Sequence, residues 1–220
     1  MAMIEKTGVL EGIGKGRIET LSDGIFAIAM TLLVLQLQVP DLREGQLDQL
    51  GPRLVDLAPK FSAYVISFMS CGVYWVAHHL QLNYVYRSDR IFMWTNICFL
   101  MVISAIPFSA ALIGEYHEES LAIRFYCGNL MLAGLVLFGQ MRYAAGPGRL
   151  IDREISSQFL RLANRRALLG PLIYACAAIS AGHSHLLSHA LCALAPILYI
   201  LPGRIDYYWK EDAKRTYSGN

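Results

Sequence analysis

The sequence predicts an all-α integral membrane protein that crosses the bilayer six times. The chain has 220 residues, of which 55% are hydrophobic and only 16% are charged, whereas a typical soluble domain has about 25% charged residues. The apolar residues are gathered into long runs without charge, and about 20 mostly apolar residues span the ~30 Å hydrocarbon core. The net charge of +2 provides no broad basic surface, so nucleic acid is not an expected partner.

The charge-free runs define the six predicted helices. The last run, Ala167–Gly203, would be about 55 Å long as one helix at ~1.5 Å per residue, which is too long for a single crossing. The sequence Gly182–His185 is typical of a tight polar turn, so we divide this run into helices over 167–182 and 186–203. The other four predicted spans are Gly24–Pro40 with an extension back to Ile18, Phe61–Tyr86, Ile91–Gly114 and Phe125–Met141.

The segments outside these runs are polar and short. Residues 1–17 have no apolar stretch of the kind found in a cleavable signal peptide, so we expect the first helix to be retained. We divide the chain into a cytoplasmic segment (1–16), a six-helix membrane domain (17–205) and a cytoplasmic tail (206–220). The longest internal polar stretch begins after the fourth helix, and Ile151–Arg166 within it could form an amphipathic helix on the membrane surface.

Loop charges predict the orientation. Fifteen of the 19 basic residues fall in the N-terminal segment, the second and fourth connections and the C-terminal tail. Because Lys and Arg accumulate on the cytoplasmic side of membrane proteins, we expect both termini in the cytoplasm. The opposite connections carry most of the acidic side chains, namely Asp41, Glu44, Asp48, Asp56, Glu115, Glu118 and Glu119.

The first helix is unusual because it carries Arg17, Glu19 and Asp23 in its first turns. Charged residues inside a spanning helix are costly and are by default a functional hypothesis. One interpretation is that Ser22 and Asp23 cap a helix that begins near Gly24. The alternative is that Asp23 points toward neighbouring helices and pairs with Arg17 or with a polar side chain of the second or third helix, the candidates being His78, His79 and Asn96.

One face of the first helix is almost entirely apolar. At 100° per residue, the face centred on Ile28 lies opposite Phe26 and Met30. From the residues alone, this face fits either ordinary helix packing or the wall of a pore. Its other members are Leu21, Gly24, Thr31, Leu32 and Leu35.

Several motifs in order resemble one family. Arg17–Gly24 resembles the R-x-x-x-F-S-D-G signature of the transmembrane protein 175 family, with Leu21 in place of the aromatic residue. The resemblance covers roughly residues 17–205. Further matching segments are Tyr74–His79, which resembles Y-W-x-x-H-H; Asp89-Arg90 with Trp94–Asn96, at the start of the third helix; and Ile106–Phe108 with Gly114–Tyr116, at its end.

The resemblance implies a potassium-permeable channel of a prokaryotic cell membrane. In the single-repeat form, four subunits surround one pore lined by the first helix, so the implied partners are three further copies, membrane lipid, potassium and other monovalent cations. It implies no cofactor or bound metal. The implied constriction is Ile28, followed by Leu32 and Leu35, with Thr31 supporting selectivity. The implied structural motif residues are Arg17, Ser22, Asp23, Gly24, Trp75, His78, His79 and Asn96.

Selectivity in such a channel has to arise without the usual filter, since the sequence contains no T-V-G-Y-G segment. A narrow apolar ring forces partial dehydration, which disfavours sodium more than potassium. A secondary transporter of a cation or small solute is the alternative function. Transporters often show inverted repeats with Gly- or Pro-broken helices in matching positions, and no such pair is evident here.

The histidines and cysteines invite other interpretations. Trp75-x-x-His78-His79 superficially resembles one histidine box of membrane di-iron enzymes, but those enzymes need several boxes, so we do not expect an enzyme. The spacing of three histidines before the last helix would allow a metal site, but we favour a solvated turn followed by the start of a helix. These residues are His183, His185 and His189. The five cysteines lie inside apolar runs and are expected to be structural.

Overall fold

The computed structural model describes residues 5–42, 47–146, 150–151 and 157–201, and the described chain is helical apart from one isolated bridge between Val85 and Ile151. The all-α prediction is therefore confirmed. The helices are α1 (Glu5–Val34), α2 (Leu50–Asp56) after a 3-10 turn at Leu47–Gln49, α3 (Ala58–Tyr84), α4 (Arg90–Ser104), α5 (Ile106–Glu115), α6 (Ser120–Ala145), α7 (Ser157–Ser180) and α8 (His185–Ile200).

Helix α1 begins and ends earlier than predicted. It runs without interruption from Glu5 to Val34, so Ser22 and Asp23 lie in its interior and the capping interpretation is wrong. It stops before Pro40 because the chain turns after Val34. The amide of Leu35 donates to the Leu32 carbonyl at 3.2 Å in this turn, which places Leu35 just beyond the helix.

The predicted third span is two helices. Helix α4 ends at Ser104 and α5 begins at Ile106, with Ala105 between them. Pro107 is the physical reason, because proline has no amide hydrogen and its ring clashes with the preceding helical turn. Asp89 fixes the start of α4, since its Oδ1 accepts from the Phe92 amide at 2.8 Å.

The remaining helices follow the prediction with shifted ends. Helices α3 and α6 are longer than the charge-free runs, and the polar turn before α8 is confirmed, with Ser184 as its N-cap. From Ser157 onward, the predicted surface helix 151–166 is the first part of α7 rather than a separate element. Residues 152–156 lie outside the described residues.

The helices pack around a large apolar core. Helix α1 lies against α3, α4 and α5, while α6 lies against α4, α5 and α7, and α8 closes the bundle against α3 and α7. Helices α6 and α7 approach closely at Gly134, where an added Cβ would lie 2.7 Å from Pro171 Cγ. The largest core side chains include Phe26, Phe99, Ile103, Tyr126 and Leu130.

Two helical segments within the described chain satisfy the length and hydropathy expected of a membrane span. They are Arg90–Glu115, which combines α4 and α5 and has a mean hydropathy of 2.3, and Ser120–Ala145, with 1.7. Helix α8 is a shorter apolar helix.

Candidate functional site

One face of α1 attaches the helix to the bundle. Ile18, Ser22, Phe26, Ala29 and Leu33 recur every three or four residues and are all buried. That spacing is the stripe of an amphipathic helix. The Phe26 ring lies 6.0 Å from the Phe99 ring and 6.3 Å from the His78 ring, centroid to centroid, so this stripe is anchored on α3 and α4.

The opposite face of α1 is exposed in the part of the chain that the structure describes. Ile28 is 57% exposed and Leu32 is 43% exposed, and Leu35 beyond the helix end is 68% exposed. Gly24 lies on the same face, and a Cβ added there would meet nothing within 4 Å. The predicted division between the Ile28 face and the Phe26 face is therefore confirmed, and the described residues leave the exposed face uncovered.

Thr31 adds an oriented oxygen to the exposed face. Its hydroxyl lies 3.0 Å from the Ala27 carbonyl and 2.9 Å from the Ile28 carbonyl and donates its proton to them. A hydroxyl oxygen that has donated its proton still has lone pairs free to accept. Thr31 can therefore present an acceptor, but not a donor, to whatever meets this face.

A buried polar network joins α1 to the bundle. His78 Nε2 lies 2.7 Å from Asn96 Oδ1, and Asn96 Nδ2 donates to Ser22 Oγ at 3.4 Å. Ser22 in turn donates to the Ile18 carbonyl at 2.7 Å. Ser22, His78 and Asn96 are each no more than 2% exposed. Since buried polar groups are costly without partners, this network fixes the register of α1 against α3 and α4.

Gln140 of α6 is a fourth member of this network that the sequence analysis missed. Its Nε2 lies 3.5 Å from Asn96 Oδ1, and the side chain is 1% exposed. An amide near the end of the apolar run Phe125–Met141 was the available signal. This signal did not identify Asn96 as the partner, because the periodicity of one helix does not show which other helix a side chain faces.

Asp23 has a different partner from any of those predicted. Its Oδ1 accepts from the indole Nε1 of Trp75 at 2.8 Å, rather than from Arg17, His78, His79 or Asn96. The predicted pairing of Asp23 is therefore wrong. Asp23 is exposed rather than buried, so its carboxylate does not require a compensating charge.

The other motif residues lie around this contact. His79 stacks on Trp75, with ring centroids 5.7 Å apart and an interplanar angle of 24°, and Arg17 is exposed on α1, N-terminal to Asp23. The motif residues thus form two groups: a buried group whose hydrogen bonds meet at Asn96, and an exposed group whose contacts meet at Trp75.

The remaining histidines and cysteines form no metal site among the described residues. His117 is exposed in the loop between α5 and α6. His185 Nε2 lies 3.3 Å from Ser120 Oγ, and His189 Nδ1 lies 2.8 Å from the His185 carbonyl. Each ring is therefore engaged separately at the start of α8, in keeping with a helix start rather than a ligand cluster.

Comparison with known proteins places this arrangement in a family. The family profile described as Endosomal/lysosomal potassium channel TMEM175 matches residues 17–107. A potassium channel of Streptomyces collinus is 36% identical over 165 residues, which is 72% of this chain and 78% of that protein. A potassium channel of Chamaesiphon minutus is 33% identical over 189 residues, which is 84% of this chain and 93% of that protein.

The chain belongs to the TMEM175 family.

The fold is also that of the family. The crystal structure of a lysosomal potassium-selective channel TMEM175 homolog from Chamaesiphon minutus superposes with a TM-score of 0.75 at 31% identity, covering 86% of this chain and 97% of that one. The segment matched by the TMEM175 profile contains the exposed face of α1 and the contact between Asp23 and Trp75. Gln140, the fourth member of the buried network, lies outside the segment that the profile matches.

Proposed function

We propose that this protein is a potassium-permeable cation channel whose pore is formed by a homotetramer, with α1 of each subunit lining the axis. The observation that carries the proposal is the uncovered apolar face of α1. The chain belongs to a channel family and has potassium channels among its relatives, so a role in lining a pore would explain why this face is exposed. A single chain cannot surround an axis with one helix, whereas a closed ring of identical subunits can.

The composition of the exposed face supports close approach of four helices. Gly24 and Thr31 are small, and small residues allow helix backbones to approach one another within a membrane. Between them, Ile28 projects a large apolar side chain that is 57% exposed in the single chain. We therefore infer that four copies of Ile28 form the narrowest ring, with Leu32 on the next turn and Leu35 just past the end of the helix.

The proposed mechanism is dehydration against an apolar wall. An ion that passes the Ile28 ring loses part of its hydration shell, and the more strongly hydrated sodium ion loses more free energy than potassium. The Thr31 oxygen, one turn further, accepts from no group among the described residues and can replace a lost water molecule, because its proton is already donated to the backbone. Potassium and other monovalent cations are the proposed permeant ions.

The motif residues have a structural role in this proposal. The network of Ser22, His78 and Asn96 holds the buried stripe of α1, which leaves the Ile28 face turned toward the axis. The hydrogen bond from Trp75 to Asp23 ties α3 to α1 on its exposed side. Arg17, Gly24 and His79 complete the motif around these contacts.

The proposed topology has six crossings, with both termini in the cytoplasm of a prokaryotic cell. The crossings are α1, α3, α4 with α5, α6, α7 and α8. The end of α3 and the end of α6 lie on one side, since the Tyr86 amide, just after α3, donates to the Leu150 carbonyl, just after α6, at 3.1 Å. That side carries the arginine-rich connections and is assigned to the cytoplasm.

Ion flux into liposomes tests the proposal. Purified protein in potassium-loaded vesicles should pass a potassium current driven by the ion gradient alone, and it should run as a tetramer by native mass spectrometry. Flux that requires a second solute or a counter-ion would instead indicate a secondary transporter. A conducting monomer would remove the argument for a ring of α1 helices.

A further inference from the structure

The chain just after α1 is tied to the neighbouring helix α5. Gln36 lies two residues beyond the end of α1 and is partly buried, and its Nε2 donates to the Pro107 carbonyl at 2.7 Å. Leu33, three residues earlier, is fully buried, so the buried stripe of α1 ends close to this bond. The hydrogen bond therefore continues the attachment of α1 beyond the end of the helix.

Helix α5 is a firm support for this bond, because it is held at both ends. At its start, the Asn129 amide of α6, oriented so that its oxygen and its nitrogen are both satisfied, donates to the Val102 carbonyl and accepts from the Ile106 amide, each at 3.2 Å. At its end, Gly114 packs on α3 so closely that an added Cβ would lie 3.3 Å from the Lys60 Cα. The carbonyl that accepts the bond lies between these two attachments and is therefore fixed relative to the bundle.

The segment from Gln36 to Pro40 runs along α5 outside any helix. It begins at the first turn of α5, through the bond to Pro107, and Pro40 lines a cavity together with Gly114 in the last turn. Four residue steps of nearly extended chain cover about 13 Å at ~3.3 Å each, while the seven steps from Pro107 to Gly114 rise about 10 Å at ~1.5 Å each. Helix α1 therefore stops about 10 Å short of the outer end of α5.

The middle of this segment is open to its surroundings. Val39 is 88% exposed and Gln38 is exposed beside it, and neither makes a backbone-to-backbone hydrogen bond with another described residue. Inside a membrane, backbone that is not helical is tolerated only where it is buried in protein or faces water. A segment that continues α1 outward at this depth therefore suits the wall of a water-filled pore mouth.

We propose that Gln36 is a positioning residue of the pore, whose bond to Pro107 fixes the end of α1 on α5 and thereby sets the outer part of the constriction. The inference rests on the proposed pore, because Leu32 and Leu35 stand on the turn that this bond holds. Gln36 Oε1 is buried and has no partner among the described residues, so the side chain faces the bundle rather than the ions. A loosened turn would let Leu32 and Leu35 move off the axis, and ions would then pass with more of their water.

Methionine is the test substitution, because it has the length of glutamine without an amide. Gln36→Met removes the donor together with the unsatisfied oxygen, so the melting temperature should stay close to that of the wild type. Gln36→Asn keeps the amide but is one methylene too short to reach Pro107, and it provides a second variant of different polarity. Gln49→Met is the matched control, since Gln49 is exposed in the 3-10 turn before α2.

Hydrogen–deuterium exchange of the purified protein in detergent, followed by mass spectrometry, reports on the turn that the bond holds. The amides of Leu35, Gln36 and Leu37 donate to carbonyls in the last turn of α1. We expect these amides to exchange about fivefold faster in Gln36→Met and Gln36→Asn, the effect of one lost hydrogen bond. In Gln49→Met they should exchange at the wild-type rate.

The reversal potential under opposing potassium and sodium gradients separates positioning of the pore from simple support of α1. Gln36→Met leaves the Ile28 ring unchanged, yet it should move the reversal potential toward the zero value of a non-selective pore. The reversal potential of Gln49→Met should equal that of the wild type.

Unchanged exchange of the three amides in both Gln36 variants would overturn the proposal. Faster exchange with a wild-type reversal potential would overturn it as well, because Gln36 would then support α1 without positioning the pore. A wild-type protein that passes no potassium current would instead contradict the proposed channel, and with it the role of Gln36 in the pore, whatever the exchange rates show.

Discussion

Replacing Asn96 with leucine should destabilise the protein by removing the centre of the buried network. Asn96 Oδ1 lies 2.7 Å from His78 Nε2, a good hydrogen-bond distance, whereas its contacts with Ser22 and Gln140 are 3.4 and 3.5 Å long. The short contact therefore carries most of the effect. Ser22 keeps a partner in the Ile18 carbonyl, so Asn96→Leu leaves His78 unsatisfied and also removes the longer contact of Gln140.

The expected magnitude follows from the burial of His78. Its side chain is 2% exposed, and an unsatisfied buried group costs about 1–3 kcal/mol. For a loss of about 2 kcal/mol in a chain of this size, the melting temperature should fall by about 4–8 °C. The free energy lost should come chiefly from the detachment of α1 from α3 and α4.

A second substitution should restore much of that loss. Replacing both partners of a buried hydrogen bond by apolar groups is often nearly neutral. The His78 ring already stacks on Phe99, with centroids 5.1 Å apart and an interplanar angle of 17°, so phenylalanine fits the same space. We therefore expect His78→Phe with Asn96→Leu to melt above Asn96→Leu alone, which gives a measurable coupling between the two sites.

Thermal unfolding of the purified protein in detergent, followed by intrinsic fluorescence, measures both effects. Asn83→Leu is the matched control, because Asn83 lies on α3 but is exposed. In a chain of this size, a loss of 1 kcal/mol lowers the melting temperature by about 2–4 °C. If Asn96→Leu melts within about 1–2 °C of the control, the reasoning is refuted, because the loss is then too small for an unsatisfied buried group. A double variant whose loss equals the sum of the two single losses would also refute it.

Two further predictions concern topology and the exposed motif. In a cysteine-free background, Ser88→Cys and Glu118→Cys should label from opposite sides of the membrane with an impermeant reagent, and labelling from one side would contradict the six-crossing topology. Asp23→Ala should lower the free energy of unfolding by only about 1 kcal/mol, because it removes one exposed hydrogen bond. Trp75→Phe should cost a similar amount in the same melting assay, and a loss several times larger in either variant would show that the contact is buried by a neighbouring subunit.

The sequence was sufficient to predict the helices but not their ends. Charge-free runs located every long helix, because membrane-type helices are built from apolar residues. The start of α1 was missed because the segment before Arg17 is charged yet still helical. The break at Ala105 was missed because the run continues through Pro107 without a charge, and only backbone geometry interrupts it.

The sequence also predicted which face of α1 is buried. Helical periodicity placed Ile28 opposite Phe26, and the structure finds the first exposed and the second 1% exposed. Leu35 was placed on this face as part of the helix, but the chain has already turned there. Whether this face lines a pore remains a prediction, because a single chain leaves it open to several kinds of partner.

Contacts between helices were beyond the sequence analysis. Asp23 bonds to Trp75, which is 52 residues away, and no periodicity within one helix identifies that pairing. Asn96 was predicted to be a structural residue, but its partners depend on the packing register of four helices. That register is set by side-chain shape across the whole core, including the close approach of Gly134 to Pro171.

The reversal potential of an Ile28 variant under opposing potassium and sodium gradients is the most direct test of the proposed pore. Ile28→Asn replaces the apolar ring with amides that let ions keep more water, so current should rise severalfold and the preference for potassium over sodium should fall. Phe26→Leu is the control on the buried face of α1 and should leave the reversal potential unchanged. Ile28→Asn with wild-type current and reversal potential, together with a shift in Phe26→Leu, would contradict the assignment of the exposed face of α1 to the pore.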